Sequence, residues 1–143
     1  MNLLLCFSFN VALKDWFEKG FLDREINYYE NLSLRSGINI TFLTYGDDLD
    51  FNYLPSNSKI NVIPIFSKKK RSKYRIINFF RSISYLIHNK DSFAKYDLFK
   101  TNQNYGSWLG VLLKIIHKKK LISRGGYDLF HFSILKKNPI KIL

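Results

Sequence analysis

Arg124 follows a short apolar run, Leu121-Ile122-Ser123, and opens the polar stretch Arg124-Gly125-Gly126-Tyr127-Asp128. A guanidinium at a strand end presents a planar fork that can grip a phosphate or pyrophosphate through paired hydrogen bonds. Its alternative use is an internal ion pair with Asp128 or Asp97. Gly125 and Gly126 let a ligand approach the backbone closely, or simply make a turn. Asp128 reads either as a general base or as an ordinary turn carboxylate. The chemistry on offer is anion recognition beyond the carboxyl end of a strand, where ligands of open α/β sheets sit.

Other constellations are weaker, and several activities drop out. The turn Ser8-Phe9-Asn10 after the first apolar run contains no glycine. Backbone amides therefore cannot approach a dinucleotide pyrophosphate there in the usual way. No glycine-rich phosphate loop ending in Gly-Lys-Ser/Thr is present, which disfavours a mononucleotide hydrolase. Asp48-Leu49-Asp50 has the spacing at which two carboxylates share a hard cation, but a solvated acidic turn after Gly46-Asp47 explains it better. No Cys/His cluster has zinc spacing, so neither a metal nor a resident cofactor is expected. Cys6 lies in an apolar run and reads as a buried, inert thiol. His88, His117 and His131 stand apart in sequence and carry no shared chemistry.

The charge balance points to an anionic partner. With 23 basic and 11 acidic residues, the formal charge is +12. The run Lys68-Lys69-Lys70-Arg71-Ser72-Lys73 directly precedes a helical pattern. Cations at a helix N-terminus oppose the macrodipole, so this run does not serve the helix. Lys68, Lys69, Lys70, Arg71 and Lys73 read either as a solvated loop or as a footprint on anionic lipid. Tyr74, Phe79 and Phe80 beside them suit interfacial docking, although their helix stripe also suits a core. No RNA- or DNA-binding signature accompanies the charge, and nucleic acid is left out of the expected partners.

At 143 residues, 46% hydrophobic and 17% aromatic, the chain is long enough and apolar enough for one ordered domain. The run from Leu3 to Leu13 lacks the basic flank and cleavage site of a secretory leader, and no segment is apolar for long enough to span a bilayer. A cytoplasmic protein, docked on the inner face of the membrane, is expected.

These residues need elements to position them, and strand and helix patterns alternate along the chain. Strands are predicted over Leu3–Phe7, Asn39–Thr44, Ile60–Ile65, Asp97–Thr101 and Leu121–Ser123. Pro64 places the third at a sheet edge. Helices are predicted over Leu22–Arg35, with Gly37 as the C-terminal cap, over Tyr74–His88 and over Ser107–His117. Leu22, Ile26, Tyr29 and Leu32 form the inner face of the first. In the second, Ile76, Phe79, Phe80, Ile83, Leu86 and Ile87 are expected inward, with Arg75, Asn78, Ser82 and Asn89 outward. In the third, Trp108, Leu112, Ile115 and Ile116 are expected inward. Near-continuous apolar strands separated by helices predict a doubly wound parallel sheet in the order 3-2-1-4-5.

Five elements then occur in a recognisable order. They are Leu4-Leu5-Cys6-Phe7-Ser8, Leu22-Asp23-Arg24-Glu25, Thr41-Phe42-Leu43-Thr44-Tyr45-Gly46, Lys100-Thr101-Asn102-Gln103 and Arg124-Gly125-Gly126-Tyr127-Asp128. Over essentially the whole chain, 1–143, this series resembles the N-terminal, acceptor-side domain of family 4 glycosyltransferases of the GT-B type, those that build bacterial surface polysaccharides. The resemblance implies a Rossmann-like domain that binds an acceptor, often lipid-linked. A second such domain would bind the nucleotide-sugar, with retaining transfer and no active-site metal. It further implies that Ser8, Phe9, Asn10, Tyr45, Gly46, Asn102, Gln103 and the loop Arg124, Gly125, Gly126, Tyr127, Asp128 line the cleft. Family members are far longer, so the nucleotide-sugar domain is expected to be absent from this chain and supplied, if at all, by a separate donor-binding subunit. The chain alone is expected to be inactive. The rival reading is a non-enzymatic, basic, membrane-peripheral module.

Overall fold

Leu3, Leu4, Leu5 and Cys6 are all buried, as a strand covered on both faces must be. They belong to the central strand of a computed structural model that describes residues 1–125. The element order is β1 (Asn2–Cys6), α1 (Leu13–Glu18), α2 (Leu22–Ser36), β2 (Asn39–Thr44), a 3₁₀ turn (Asp48–Tyr53), β3 (Asn61–Pro64), α3 (Arg75–His88), α4 (Lys90–Phe93), β4 (Leu98–Thr101), α5 (Trp108–His117) and β5 (Lys120–Ile122).

The strands form one sheet in the order β3-β2-β1-β4-β5, and every pairing is parallel. This is the expected α/β, Rossmann-like, doubly wound arrangement. Pro64 pairs with Thr44 at the end of β3, an edge strand, where its missing N–H removes no ladder bond on the outer side. No helix among the described residues is long and apolar enough to cross a membrane.

The pleat divides the core into two layers. Leu3, Leu5 and Phe7 point to one face with Leu13, Trp16, Leu22, Ile26, Tyr29, Ile40 and Phe42. Stacking of Phe7 on Trp16, with ring centroids 4.2 Å apart, fastens α1 to the sheet. Leu4 and Cys6 point to the opposite face, with Leu43, Leu86, Phe93, Phe99, Leu109 and Leu113 under α3, α4 and α5. Gly37 closes α2 at φ 66° and donates to the Ser33 carbonyl, the left-handed cap the sequence predicts.

Two helices are rotated from the expected setting. In α3 the buried positions are Asn78, Ser82 and Leu86, while Ile76, Ile77, Phe80 and Ile87 are exposed. Phe79 does pack on the core, and Arg75 and Asn89 do face out. Asn78 turns inward because it has partners there: it accepts from the Ser72 N–H and donates to the Ser72 carbonyl and to Asn10. Ser82 satisfies its hydroxyl on the Phe79 carbonyl. Hydrophobic periodicity alone cannot register these bonds. In α5, Leu109, Gly110 and Leu113 are buried, Trp108 and Leu112 pack at the margin, and Ile115 faces out. Gly110 permits this close seat, since a Cβ there would lie 3.1 Å from Thr101 and 3.0 Å from Leu121.

Candidate functional site

β1 lies between β2 and β4, so the chain winds outward one way through β3 and the other way through β5. A crevice opens at such a switch point, outside the carboxyl ends of the central strands. β1 delivers Ser8, Phe9 and Asn10 to it, and β4 delivers Asn102, Gln103 and Asn104. The two tips are joined directly: the Asn102 N–H donates to the Cys6 carbonyl at 2.9 Å, and the Phe9 N–H to the Tyr105 carbonyl at 3.4 Å. Gly106, at φ 92°, permits this approach, because a Cβ there would sit 2.3 Å from the Phe9 nitrogen.

The crevice rim is polar and cationic. Asn10 holds a left-handed conformation (φ 60°), and its side-chain oxygen accepts from Asn78 at 3.2 Å. Arg75, at the start of α3, lies over the rings of Phe9 and Tyr105, 5.6 and 5.7 Å from their centroids, and donates to the Tyr105 hydroxyl. Asn10, Arg71, Ser72, Lys73, Arg75 and Asn78 line a shallow hollow of about 650 Å³ with three cations and, among the described residues, no carboxylate. It adjoins the α3 N-terminus, so the helix dipole adds to the attraction for an anion.

Arg124 lies on the other face of the sheet edge. Its N–H donates to Thr101 Oγ1 at 3.1 Å, and Ser123 donates to Asn104 at 2.8 Å, binding the β4 and β5 tips together. Among the described residues its guanidinium pairs not with Asp97 but with Glu25 of α2, at 3.5 Å. Asp97 instead accepts from the Asn2 N–H. Glu25 is shared with Arg24 at 3.0 Å. Beside them Lys100 donates to the Tyr29 hydroxyl at 2.8 Å. Burial, then the nearby Arg124 charge, push the Lys100 ammonium below its usual range, and Glu25 partly opposes them. Arg24, Glu25, Lys100 and Arg124 line a second hollow of about 640 Å³. Among the described residues, three cations stand against one carboxylate there.

The expected cleft residues therefore separate. Asn10, Gln103, Arg124 and Gly125 reach the surface, whereas Ser8, Phe9, Tyr45, Gly46 and Asn102 are buried beneath the rim. Phe9 packs edge-on against Tyr45 and Trp108, with centroids 5.3 and 4.9 Å away. Burial holds the Tyr45 phenol well above its ordinary range. Gly126, Tyr127, Asp128 and His131 lie outside the described residues.

Asp50 departs from the solvated turn expected of it. It is buried, accepting from the Leu13 N–H at 3.2 Å and from the Thr44 hydroxyl, and so caps α1. Gly46 makes room for its carboxylate. Asp48 is exposed, and no group of three metal-ligating side chains occurs among the described residues.

Sequence reasoning missed Arg75, Tyr105 and the inward Asn78. A signal for Arg75 was available: it continues the basic run across the α3 N-terminus, where cations need an outside partner.

These features define an α/β, Rossmann-like domain with a cationic rim at its switch point. Compared with protein-family models, curated proteins and solved structures, the chain finds no match.

Proposed function

We propose that this domain is the acceptor-binding part of a retaining glycosyltransferase. It would take a glycan acceptor linked to lipid through a phosphate, while the nucleotide-sugar is held by a separate domain or subunit. One observation carries the reading: the switch-point hollow gathers Arg71, Lys73 and Arg75 around Asn10 and Asn78 with no carboxylate among them. Fixed cations and a helix N-terminus suit a phosphate, and the two asparagines offer hydrogen-bonding partners for sugar hydroxyls. The glycine-free turn after β1 supports the division of labour, since it disfavours a pyrophosphate on this half.

Isothermal titration of the full chain with a short-chain polyprenyl-phosphate sugar and with a nucleotide-sugar tests it. The polyprenyl-phosphate sugar should bind and the nucleotide-sugar should not. Arg75→Ala should weaken acceptor binding at least about tenfold, as expected for loss of a charge-assisted contact. Tight nucleotide-sugar binding, or acceptor affinity indifferent to Arg75, would contradict the proposal.

A further inference from the structure

We propose that the joint outer face of α3 and α5 is a docking surface for an anionic phospholipid bilayer. This inference does not rest on the sugar-transfer reading.

Four α3 residues carry it. Ile76, Phe80 and Ile87 are 63%, 62% and 50% exposed, and half-buried Ile83 completes the same helical stripe. A stripe of this kind normally faces a core, but the inward side of α3 is taken by Asn78, Ser82 and Leu86. The neighbouring helix extends the surface. Phe79 meets Trp108 at a centroid distance of 5.3 Å, and Val111 and Ile115, three and seven residues on from Trp108 in α5, are 42% and 67% exposed. Such a grouping of large apolar side chains is an interaction site rather than ordinary surface.

Charge selects the occupant. Residues 51–125 hold sixteen Lys and Arg against two Asp and Glu, whereas residues 1–50 hold four against eight. Neither α3 nor α5 contains an acidic residue. Lys68, Lys69 and Lys70 are exposed in the loop leading to α3, and Arg81 fastens that loop to the helix by donating to the Lys70 carbonyl at 2.9 Å. Between loop and helix lies a cavity of about 260 Å³ whose lining includes Lys68, Lys69, Arg81 and Tyr85, cationic groups over an apolar floor. That combination suits a lipid headgroup phosphate with its glycerol and upper acyl segments. A second copy docked face to face would bring the same positive charge and be repelled. Nucleic acid would answer the charge but leave Ile76 and Phe80 in water. An anionic bilayer answers both, with the apolar stripe in the interface and the lysines at headgroup level.

Co-sedimentation of the full chain with vesicles of equimolar phosphatidylglycerol and phosphatidylcholine, against phosphatidylcholine alone, is the test. Binding should need the anionic lipid. It should fall at least about tenfold in Ile76→Ser/Phe80→Ser and in Lys68→Glu/Lys69→Glu, for loss of the apolar and electrostatic contributions respectively. Both pairs are exposed, and unchanged melting temperatures will show that the fold persists. As a direct readout, Phe80→Trp fluorescence should shift to the blue and be quenched by brominated lipid, beyond the background of Trp16 and Trp108. Equal binding to both vesicle types would overturn the proposal. So would binding untouched by Ile76→Ser/Phe80→Ser, which would leave only a generic polycation. A stable dimer dispersed by the same substitution would assign the face to a second copy instead.

Discussion

Asn78 of α3 donates to the side-chain oxygen of Asn10, at the tip of β1, across 3.2 Å. The same amide group closes two further bonds with the Ser72 backbone, both at 2.9 Å. One side chain thus sets the rotation of α3, shapes the switch-point hollow and leaves Ile76 and Phe80 pointing outward. Truncation would leave the part-buried Ser72 N–H and carbonyl without this partner. Asn78→Ala should therefore lower the unfolding free energy by about 2–3 kcal/mol in urea denaturation. Arg75→Ala, an exposed change nearby, should cost well under half of that. If Asn78→Ala costs less than about 0.5 kcal/mol, α3 is not held by these bonds.

The sheet was legible in the sequence because its strands are buried on both faces. Runs such as Leu3-Leu4-Leu5-Cys6 leave little else to be, and right-handed crossovers then restrict the strand order. The setting of α3 was not legible. Hydrophobic periodicity assumes that the apolar side faces in, and here buried hydrogen bonds from Asn78 and Ser82 compete with it. For the candidate site, the strand tips Asn10 and Asn102–Asn104 could be read from strand ends, whereas Arg75 over Phe9 and Tyr105 depends on contacts between distant segments. Arg124 was legible as a strand-end cation, but its partner Glu25 sits on α2, about a hundred residues away.

Gly106 should be the least replaceable glycine of the described residues. It combines φ 92° with a position at which a Cβ would lie 2.3 Å from backbone nitrogen of Phe9. No side-chain rotation relieves a clash with backbone. Gly20 has φ 70° but open space around it. Gly20→Ala should cost about 1 kcal/mol for its left-handed conformation, and Gly106→Ala several times more through strain and displacement of the β1 tip. Thermal melts of the two variants decide this, and equal losses would mean that the β1 and α5 segments are not packed as described.

Asp50 gives a pH signature with a definite sign. Burial raises its carboxyl above the ordinary value of 3.8, although the bonds from Thr44 and Leu13 pull the other way. A raised acid is fully accommodated when protonated in both folded and unfolded chains, below the unfolded value. Its stabilising contribution is lost as pH climbs through the folded value. Asp50→Asn keeps an oxygen for the Leu13 N–H and removes the charge. Its stability relative to the native chain should improve between pH 4 and pH 7 in urea titrations. A relative loss over that interval would show that the hydrogen bonds, not burial, dominate.

Cys6 provides the last test, because its burial and its chemistry predict the same thing. The thiol is 1% exposed in the middle of the sheet, and burial alone pushes it from 9.0 up to about 12. In the folded chain at pH 8 it should resist a disulfide reagent, with labelling limited by unfolding and accelerated in step with any destabilising substitution. The same shift makes the protein lose stability in alkali. Below about 9 the thiol is neutral in both states, so its contribution is intact. Above that the unfolded thiol ionises while the folded one stays neutral until about 12, and stability falls by up to about 1.4 kcal/mol per pH unit. Tyr29 and Tyr45, whose phenols are also raised by burial from 10.0, add the same sign of dependence at higher pH. The cysteine is therefore isolated between pH 9 and 10. There Cys6→Ala, despite a cavity cost at every pH, should show a flatter stability profile than the native chain. Parallel profiles would mean that water reaches Cys6, and with it the centre of a sheet whose central strand should be sealed on both faces.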